Sequence, residues 1–532
     1  MKKIINIAVL AFGMIASTTA QTIYDGVKFT QKDLNGTARF VGMGGAMGAL
    51  GGDVSTMGVN PAGIGIYRSN DVMTTFGFSA YGSESNYGGQ KFNIDKSRMS
   101  FDNIGFVFSS KIGNQTTLRY LNFGFNYTRS KSFDKYMSME GMMNLEGVIL
   151  SQTFQMHSQA NDMINSSGYL IHDQPNNANL FTDPQVGWLA AAGWKSDLYE
   201  YNGTSQNYAG FLPNPKKTWF DSREKGGINQ YDFNVSFNLN DRVYLGLTVG
   251  AYDVNYSKYS TYGEDFGDFK DGDVNYGNEG YEMSSEKKIE GSGVDFKFGA
   301  IVRPFEDSPF RLGVAIHTPT YYNLTMKTNF RAVSSIYSPD NNQVNKHIVD
   351  SYDFTNNYDY GYDLRLRTPW KYNFSLGYTA GSSFAIGAEY EYQDYSGMHF
   401  SFSNGDEMNW ENSTAKEMLK GVSTFRVGAE FKVVPEFALR LGYNYSSTAF
   451  KDNAYKDLAP NSINTDTDFA NAKSQSNYTL GIGYRISSFY ADLAYLYNTY
   501  DDDFYAFNDG ALNRTKVTNT RSKVLLTLGL RF

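Results

Sequence analysis

The chain contains no cysteine and only five histidines, so it has no material for a disulfide framework or a thiolate metal site. Its formal net charge is −8, which provides no basic field of the kind that attracts nucleic acid. Beyond residue 20, no stretch reaches the ~18 consecutive apolar residues that a membrane-spanning helix requires. If the protein crosses a membrane, it must therefore cross it with strands.

The first twenty residues have the pattern of a secretory signal peptide. Lys2 and Lys3 supply a positive start, and an apolar stretch runs from residue 4 to residue 16. Small residues follow, ending at Ala20, so cleavage there would leave Gln21 as the first mature residue. The sequence therefore predicts export.

Period-two alternation is the strongest structural signal in the rest of the chain. In "VYLGLTVGA", residues 243–251, apolar side chains alternate with tyrosine, glycine and threonine, as in a strand with two different faces. Aromatic residues make up 16 % of the chain and are available for the girdles at both membrane surfaces. Fourteen such segments are predicted: 72–82, 101–110, 118–130, 229–239, 242–256, 287–303, 309–325, 366–379, 383–395, 421–432, 436–446, 476–486, 488–499 and 518–532.

The connections between these segments alternate in length. From residue 229 onward, short turns such as 240–241 and 433–435 alternate with long loops such as 257–286. Short periplasmic turns and long outer loops are typical of bacterial outer-membrane barrels. The sequence therefore predicts an all-β fold, a 14-stranded antiparallel transmembrane β-barrel over residues 72–532, with a large extracellular insertion at 131–228.

Residues 21–71 precede the first strand and are dense in glycine. The stretch "VNPAGIG" at 59–65 holds Asn60, Pro61, Ala62 and Gly63, a combination that favours a rigid turn. Glycine permits close approach of backbone to a neighbouring wall. Residues 21–71 are predicted to form a hatch inside the barrel, and a periplasmic tail with a glycine-rich linker is the alternative.

Three stretches resemble the FadL/TodX family of outer-membrane transporters for long-chain fatty acids and other hydrophobic compounds. The first is "VNPAGIG" at 59–65, similar to the Asn-Pro-Ala signature of that family's hatch. The other two are the hairpins "GSGVDFKFGAIVRPFEDSPFRLGVAIHTPTYYNL" at 291–324 and "LRTPWKYNFSLGYTAGSSFAIGAEYEYQDYS" at 366–396. The resemblance covers nearly all of the mature chain.

The resemblance implies passive uptake of hydrophobic small molecules across the outer membrane of a Gram-negative bacterium. A ligand would bind an extracellular groove, pass to a pocket beside the hatch and leave sideways where the third strand kinks. That strand is "RYLNFGFNYT" at 119–128, and Gly124, flanked by Asn122 and Asn126, is the predicted kink, with an ordinary inward glycine as the alternative.

The insertion offers apolar side chains for such a groove. The candidates are Met139, Met142, Met143, Leu145 and Ile149, because methionine adapts to varied apolar shapes. A small core of the insertion itself is the other interpretation. If the ligand carries a carboxylate, the candidate cations are Arg39, Arg68 and Arg426.

Other functions remain open at this point. No histidine has the sequence context of a catalytic motif, so an enzyme is not expected, and neither a cofactor nor a metal site is predicted. A docking component for protein partners, of the export-machinery type, is the main alternative, and a haem receptor is another. The expected partners are a hydrophobic ligand, outer-membrane lipid and lipopolysaccharide, and the barrel-assembly machinery during biogenesis. Nucleic acid is not expected, and the chain is predicted to be a monomer.

Overall fold

The computed structural model describes residues 22–87, 89–142, 151–175, 177–508 and 514–532, so the predicted signal peptide lies outside the described residues. One antiparallel sheet closes on itself, because the last strand pairs with the first. The strands are β1 (Asp71–Tyr87), β2 (Gln90–Lys111), β3 (Leu118–Ser132), β4 (Lys135–Met142), β5 (Glu200–Asn202), β6 (Asn207–Ala209), β7 (Lys217–Leu239), β8 (Val243–Asp271), β9 (Val274–Val302), β10 (Arg311–His317), β11 (Tyr321–Ser338), β12 (Gln343–Asp350), β13 (Tyr360–Arg367), β14 (Lys371–Ala380), β15 (Phe384–Asp394), β16 (His399–Phe402), β17 (Gly421–Val434), β18 (Phe437–Ser446), β19 (Phe469–Ile486), β20 (Phe489–Tyr505) and β21 (Thr515–Arg531).

The barrel has fourteen strands, which confirms the prediction. Four barrel strands are interrupted and consist of two segments each: β3 with β4, β10 with β11, β14 with β13, and β15 with β16. Two of these interruptions contain Pro319 and Pro369, which cannot donate to a strand ladder. β12 pairs only with the outer part of β11, and β5 with β6 forms a separate hairpin.

Short turns join the strands at the periplasmic end. Between β7 and β8, Asn240 and Asp241 have φ values of 53° and 59°. Two consecutive positive φ values give the tight turn whose twist matches that of antiparallel strands.

The membrane boundary is visible on β8 as the point where its outward face changes from apolar to polar. Up to Ala251 the outward side chains are apolar, for example Leu245, which is 41 % exposed. Beyond it the outward residues become polar, starting with Asp253, while Tyr252 and Val254 point inward and are buried. Lipid contacts apolar side chains only within its own thickness. The outer half of β8 therefore lies beyond the membrane.

Strand extensions, loops and helices form a second core outside the membrane. Helices α3 (Thr153–Ser167) and α4 (Trp188–Lys195) lie in the connection between β4 and β7, and α5 (Asn409–Met418) precedes β17. Their apolar faces join one buried cluster that includes Trp188 and Phe330. Among the described residues, none of the helices has the length and apolar character needed to cross a membrane.

The N-terminal segment Thr22–Asn70, which we call the hatch, lies inside the barrel. It contains α1 (Ile23–Thr30), α2 (Ala38–Gly42) and the 3-10 turns Val54–Gly58 and Pro61–Ile66. α2 contacts β18, β19, β20 and β21, and the second turn contacts β7, β8 and β9 on the other side of the barrel. Contacts to opposite walls show that the hatch spans the lumen.

Glycines of the barrel wall let the hatch backbone approach closely. A Cβ at Gly246 would lie 2.5 Å from the carbonyl oxygen of Pro61, and one at Gly428 would lie 2.7 Å from the carbonyl carbon of Met43. Neither position has room for a side chain. Glycines on the inner face of the wall and small residues in the hatch therefore both allow the two backbones to approach closely.

Candidate functional site

The Asn60-Pro61-Ala62-Gly63 stretch is fixed to the wall near the periplasmic end. The Asn60 side chain accepts a hydrogen bond from the Ala62 N–H at 3.2 Å and donates to the carbonyl oxygen of Ala300 at 3.3 Å. The carbonyl oxygen of Pro61 accepts from the Ser236 hydroxyl at 2.9 Å. The structure thus brings the four predicted residues together as a rigid, buried turn. Their role as the hatch motif stays a prediction.

Ion pairs attach the outer part of the hatch to the surrounding strands. Asp25 of α1 contacts Lys287 of β9 at 2.9 Å, and Asp33 contacts Arg521 of β21 at 2.6 Å. Burial would raise the pKa of Asp25, but the nearby Lys287 ammonium lowers it below its usual range. The hatch is therefore held by charge as well as by packing.

An internal cavity of about 340 Å³ lies between the outer half of the hatch and the wall. Its lining includes both apolar and charged side chains. The apolar ones include Val27, Phe133, Met137, Phe450 and Phe469. A surface of this mixed character suits a molecule with an apolar body and a charged end.

Lys32 is the cation of this cavity that has no carboxylate partner. Among the described residues that line the cavity, every other lysine and arginine forms an ion pair with an acidic side chain. The Lys32 ammonium instead donates to the Gln230 side-chain carbonyl and the Tyr252 hydroxyl, both at 3.0 Å. Burial, assisted by Lys371 and Lys297, lowers the pKa of Lys32 to about 7. Sequence reasoning missed Lys32, because pairing cannot be read from residue type.

The three arginines predicted to hold an anionic head group are all engaged within the protein. Arg39 contacts Glu430 at 3.0 Å, Arg426 contacts Glu391 at 3.2 Å, and Arg68 pairs with Asp241 at a periplasmic turn. None of them presents an unpaired guanidinium to the cavity.

A slit opens in the barrel wall between β2 and β3. The β2–β3 ladder ends at the pair Asn103–Thr128, whereas β2 stays paired with β1 as far as Gln90. Beyond Thr128, β3 remains paired with β7. Thirteen residues of β2, 90–102, therefore have no backbone ladder partner on that side.

The slit starts within the membrane and leads to the cavity. At its inner end the outward side chains of β2, Phe101 and Met99, are apolar and exposed, whereas those from Ser97 to Lys91 are polar. Arg98 of β2 contacts Asp134 of the facing strand at 2.7 Å and bridges the slit. Tyr81, Ser132 and Asp134 line both the slit and the cavity.

The predicted kink at Gly124 is wrong. Asn122, Gly124 and Asn126 pair without interruption with both β2 and β7. A Cβ at Gly124 would overlap the methyl group of Met57 in the hatch. The glycine therefore makes room for the hatch, and the wall opens further out, where the β2–β3 ladder stops.

The predicted methionine groove is only partly within the described residues. Met139 and Met142 lie on opposite faces of β4, the first buried at 2 % exposure and the second exposed at 64 %. They cannot form one surface, so the groove as predicted is wrong for this pair. Met143, Leu145 and Ile149 lie outside the described residues.

His317 and the acidic side chains were the remaining places to look for a metal site in the described part of the chain. The lumenal His317 bonds through Nε2 to the carbonyl oxygen of Val59 at 2.8 Å, a contact that joins wall and hatch. No group of three or more acidic or histidine side chains among the described residues is arranged to hold a metal ion.

Comparison with known proteins gives one family and a set of barrel structures. The model of a family described as BamG matches residues 213–485, just over half of the chain. Curated protein sequences give no match. The solved structure of a TodX monoaromatic hydrocarbon channel, a deltaS2 mutant, is similar at 10 % identity and a TM-score of 0.50, covering 94 % of this chain and 100 % of that one. A Pseudomonas aeruginosa FadL homologue is 13 % identical with a TM-score of 0.49, covering 94 % and 99 %.

Proposed function

The chain belongs to the BamG family and is an outer-membrane β-barrel, and from its cavity and wall slit we propose that it conducts hydrophobic small molecules into the membrane. The class we favour is an amphiphile with an apolar chain and an acidic head group, such as a long-chain fatty acid. Passage is passive and involves no chemical reaction and no cofactor. The protein acts as a monomer within outer-membrane lipid and lipopolysaccharide.

The observation that carries this proposal is the slit between β2 and β3. A closed β-barrel satisfies its backbone groups by pairing strands, so unpaired residues at membrane level, here the inner end of the slit near Met99 and Phe101, are costly unless they serve a purpose. The slit adjoins both the lipid and the internal cavity. A ligand that leaves there enters the membrane without crossing the blocked periplasmic end.

The cavity supports the acidic amphiphile in particular. Lys32 provides an ammonium group that forms no direct ion pair with a carboxylate of the described residues, and apolar side chains such as Phe133 and Phe450 flank the same space. A ligand carboxylate would give Lys32 the partner that the protein does not supply. The similar TodX structure, named as a monoaromatic hydrocarbon channel, supports a hydrophobic cargo, though we propose a ligand with a charged end.

Cross-linking the slit should stop release. The native chain has no cysteine, so Arg98→Cys with Asp134→Cys can be joined specifically by a cleavable bifunctional thiol reagent. Because this bridge replaces the ion pair that spans the slit, we expect transfer of a fluorescent fatty acid into proteoliposome lipid to stop. Cleavage of the linker should restore it.

The matched control joins the same two strands where they are already paired. Cysteines at Lys111 and Tyr120, which face each other near the periplasmic end, should be cross-linked without loss of transfer. Unchanged transfer after complete cross-linking at 98 and 134 would refute the slit as the exit.

Removing the Lys32 ammonium should weaken binding of a fatty acid and remove its pH dependence. A charge-assisted contact is worth ~1.5–3 kcal/mol, so Lys32→Met should raise Kd by about 10–100-fold. Because the pKa of Lys32 is lowered to about 7, the free protein loses this charge as pH rises through 7, and wild-type affinity should fall in that range. Binding is measured by calorimetry between pH 6 and 8.

The corresponding fatty alcohol provides the control ligand. It lacks the carboxylate, so the wild type and Lys32→Met should bind it equally at every pH. Equal loss of affinity for both ligands would show that the substitution disturbs the cavity and does not remove a head-group contact.

Family membership favours a second candidate, association with the barrel-assembly machinery. In that case the barrel would act as a docking component for protein partners. Isolation from native membranes in mild detergent, followed by cross-linking mass spectrometry, separates the two candidates. Stoichiometric cross-links to the machinery's barrel subunit, together with failure to transfer fatty acid, would favour docking.

A further inference from the structure

Four arginines, which we call the arginine cluster, meet at the periplasmic end of the barrel beside the end of the hatch. Arg242, Arg303 and Arg311 each adjoin the last ladder pair at this end of β8, β9 and β10. The Arg303 N–H donates to the carbonyl oxygen of Arg242 at 2.8 Å. The fourth member, Arg68, belongs to the hatch and pairs with Asp241 in the turn between β7 and β8. Three guanidinium groups on neighbouring strands therefore lie beside a fourth.

The cluster faces the mouth of the barrel and not the lipid. On β9 and β10 the adjacent side chains, Val302 and Leu312, are apolar and face outward, at 36 % and 40 % exposure. Because side chains alternate between the two faces of a strand, Arg303 and Arg311 point to the inward side, where both are half-buried. The Arg311 guanidinium donates to the hatch carbonyl of Leu50 at 2.7 Å. A lipid head group would approach from the outward face, so this orientation favours a partner dissolved in the periplasm.

The protein itself supplies the cluster with little negative charge. Among the described residues, Arg68 has the carboxylate partner given above, and the other three members form no ion pair. Glu306 and Asp307 lie in the exposed turn between β9 and β10 but pair with none of the four. Arg303 and Arg311 donate to backbone carbonyls, and the Nε atom of each is buried without a hydrogen-bond partner. Because like charges on neighbouring strands repel and carboxylates are stronger acceptors than neutral carbonyls, the cluster can bind an added anion.

The extent of the cluster suits an extended chain better than a single small anion. β8 and β10 lie on either side of β9 and are about 9–10 Å apart, so one phosphate cannot bridge their arginines. An extended peptide presents side chains on one face about 6–7 Å apart and can place several carboxylates along such a row. Phe305, in the turn between β9 and β10, is 62 % exposed beside the cluster. Arginine and aromatic residues are enriched in protein interfaces.

We infer that the arginine cluster docks an acidic, extended segment of a periplasmic protein. Carboxylates of that segment pair with Arg242, Arg303 and Arg311, and its apolar side chains contact Phe305. The segment lies directly below the hatch, because Arg68 and Arg311 both also donate to hatch carbonyls. The inference does not depend on conduction of a hydrophobic molecule and is compatible with both candidate functions.

The test uses the full chain in a non-ionic detergent and a fluorescent peptide of ten glutamates as the probe. Binding is measured by fluorescence anisotropy over a range of salt concentrations, and affinity should fall as salt rises, because salt screens exposed charges. Arg303→Gln combined with Arg311→Gln should raise the Kd of the peptide at least about tenfold. Arg303→Lys combined with Arg311→Lys keeps the charge and should recover part of the binding.

Arg365→Gln combined with Arg367→Gln is the matched control. Both arginines are exposed on β13 at the opposite end of the barrel, and neither forms an ion pair within the described part of the chain. Their removal changes the net charge by the same amount, and this variant should bind the peptide as the wild type does. Equal loss of affinity in the two Gln variants would show that the peptide responds only to net charge. That result, or a wild type that does not bind the peptide, would overturn the inference.

A photoreactive form of the same peptide tests the wild type without any substitution, so the result does not depend on whether the variants fold. Cross-links should map to Arg242 and to the turn 303–310, and cross-links confined to the extracellular half would contradict the inference. Phosphatidylglycerol added to the detergent micelles at the concentration of the peptide should not reduce this labelling. If it does, the cluster binds a lipid head group and the inference is wrong.

Discussion

Replacing Gly246 and Gly428 together with alanine should displace the hatch and open the barrel to ions. At each position the new methyl group would overlap hatch backbone, at Pro61 and Met43, and backbone cannot rotate away as a side chain can. Overpacking of this kind costs about 1–3 kcal/mol per site. Because the clash is between hatch and wall, the strain is relieved most readily by movement of the hatch. We expect a lower unfolding midpoint and a new conductance in planar bilayers.

Gly397→Ala is the control for this prediction. It makes the same change where a Cβ would have one neighbour, Pro369, at 3.9 Å. This variant should keep the parent's midpoint and remain closed. If the double-alanine variant also stays closed and equally stable, then the position of the hatch does not depend on the absence of side chains at Gly246 and Gly428.

The number of strands could be predicted because, within the membrane, the apolar residues of the alternating pattern stay on the outward face. In residues 243–251, outward positions are apolar and inward positions are small or polar, and short turns mark where each strand reverses. Positions such as Asn240 and Asp241 make those turns tight. These are local properties, so the sequence alone carries them.

The strand lengths could not be predicted, because the outward face of a strand changes from apolar to polar at the membrane surface. β8 was expected to end near residue 256 and β9 to begin near residue 287, but they run to Asp271 and from Val274. Past Ala251 the outward face becomes polar, while Tyr252, Tyr256 and Tyr262 are buried on the inward face. A search for a strand with one continuous apolar face therefore stops at the membrane surface, although the strand itself continues.

The position of the N-terminal segment inside the barrel could be predicted, but the unpaired cation beside it could not. Glycine density and the Asn-Pro-Ala stretch indicated a segment inside the barrel, and the hatch lies there. Which cation remains unpaired depends on contacts between residues far apart in the chain, such as Asp33 with Arg521. Arginine type alone therefore suggested Arg39, Arg68 and Arg426, whereas the pairing pattern leaves Lys32. The proposed exit likewise depends on where the pairing of β2 with β3 ends, and no single glycine determines that position.

Removing Lys297 should cause a large loss of stability that removal of its partners' charges reverses. Its side chain is fully buried and contacts Asp232 at 2.9 Å and Asp295 at 2.7 Å. Lys297→Met leaves two buried carboxylates without a cation, which costs ~3–5 kcal/mol by analogy with broken buried pairs. The unfolding free energy is measured from denaturant titrations of the barrel in detergent micelles.

The comparison with two further variants shows whether uncompensated charge is the cause. Lys288→Met, on the same strand, removes an exposed partner of Glu286 and should cost less than ~1 kcal/mol. The triple variant Lys297→Met, Asp232→Asn and Asp295→Asn removes the whole charge group, while the amide oxygens can still accept from Gln230 and Tyr252. It should recover most of the lost stability, because replacing a complete buried ion group is often nearly neutral. If the triple variant is as unstable as Lys297→Met, then a contact of Lys297 itself, such as that of its ammonium with the face of the Tyr252 ring at 5.4 Å, is what the barrel requires, and compensation of the two carboxylates is not.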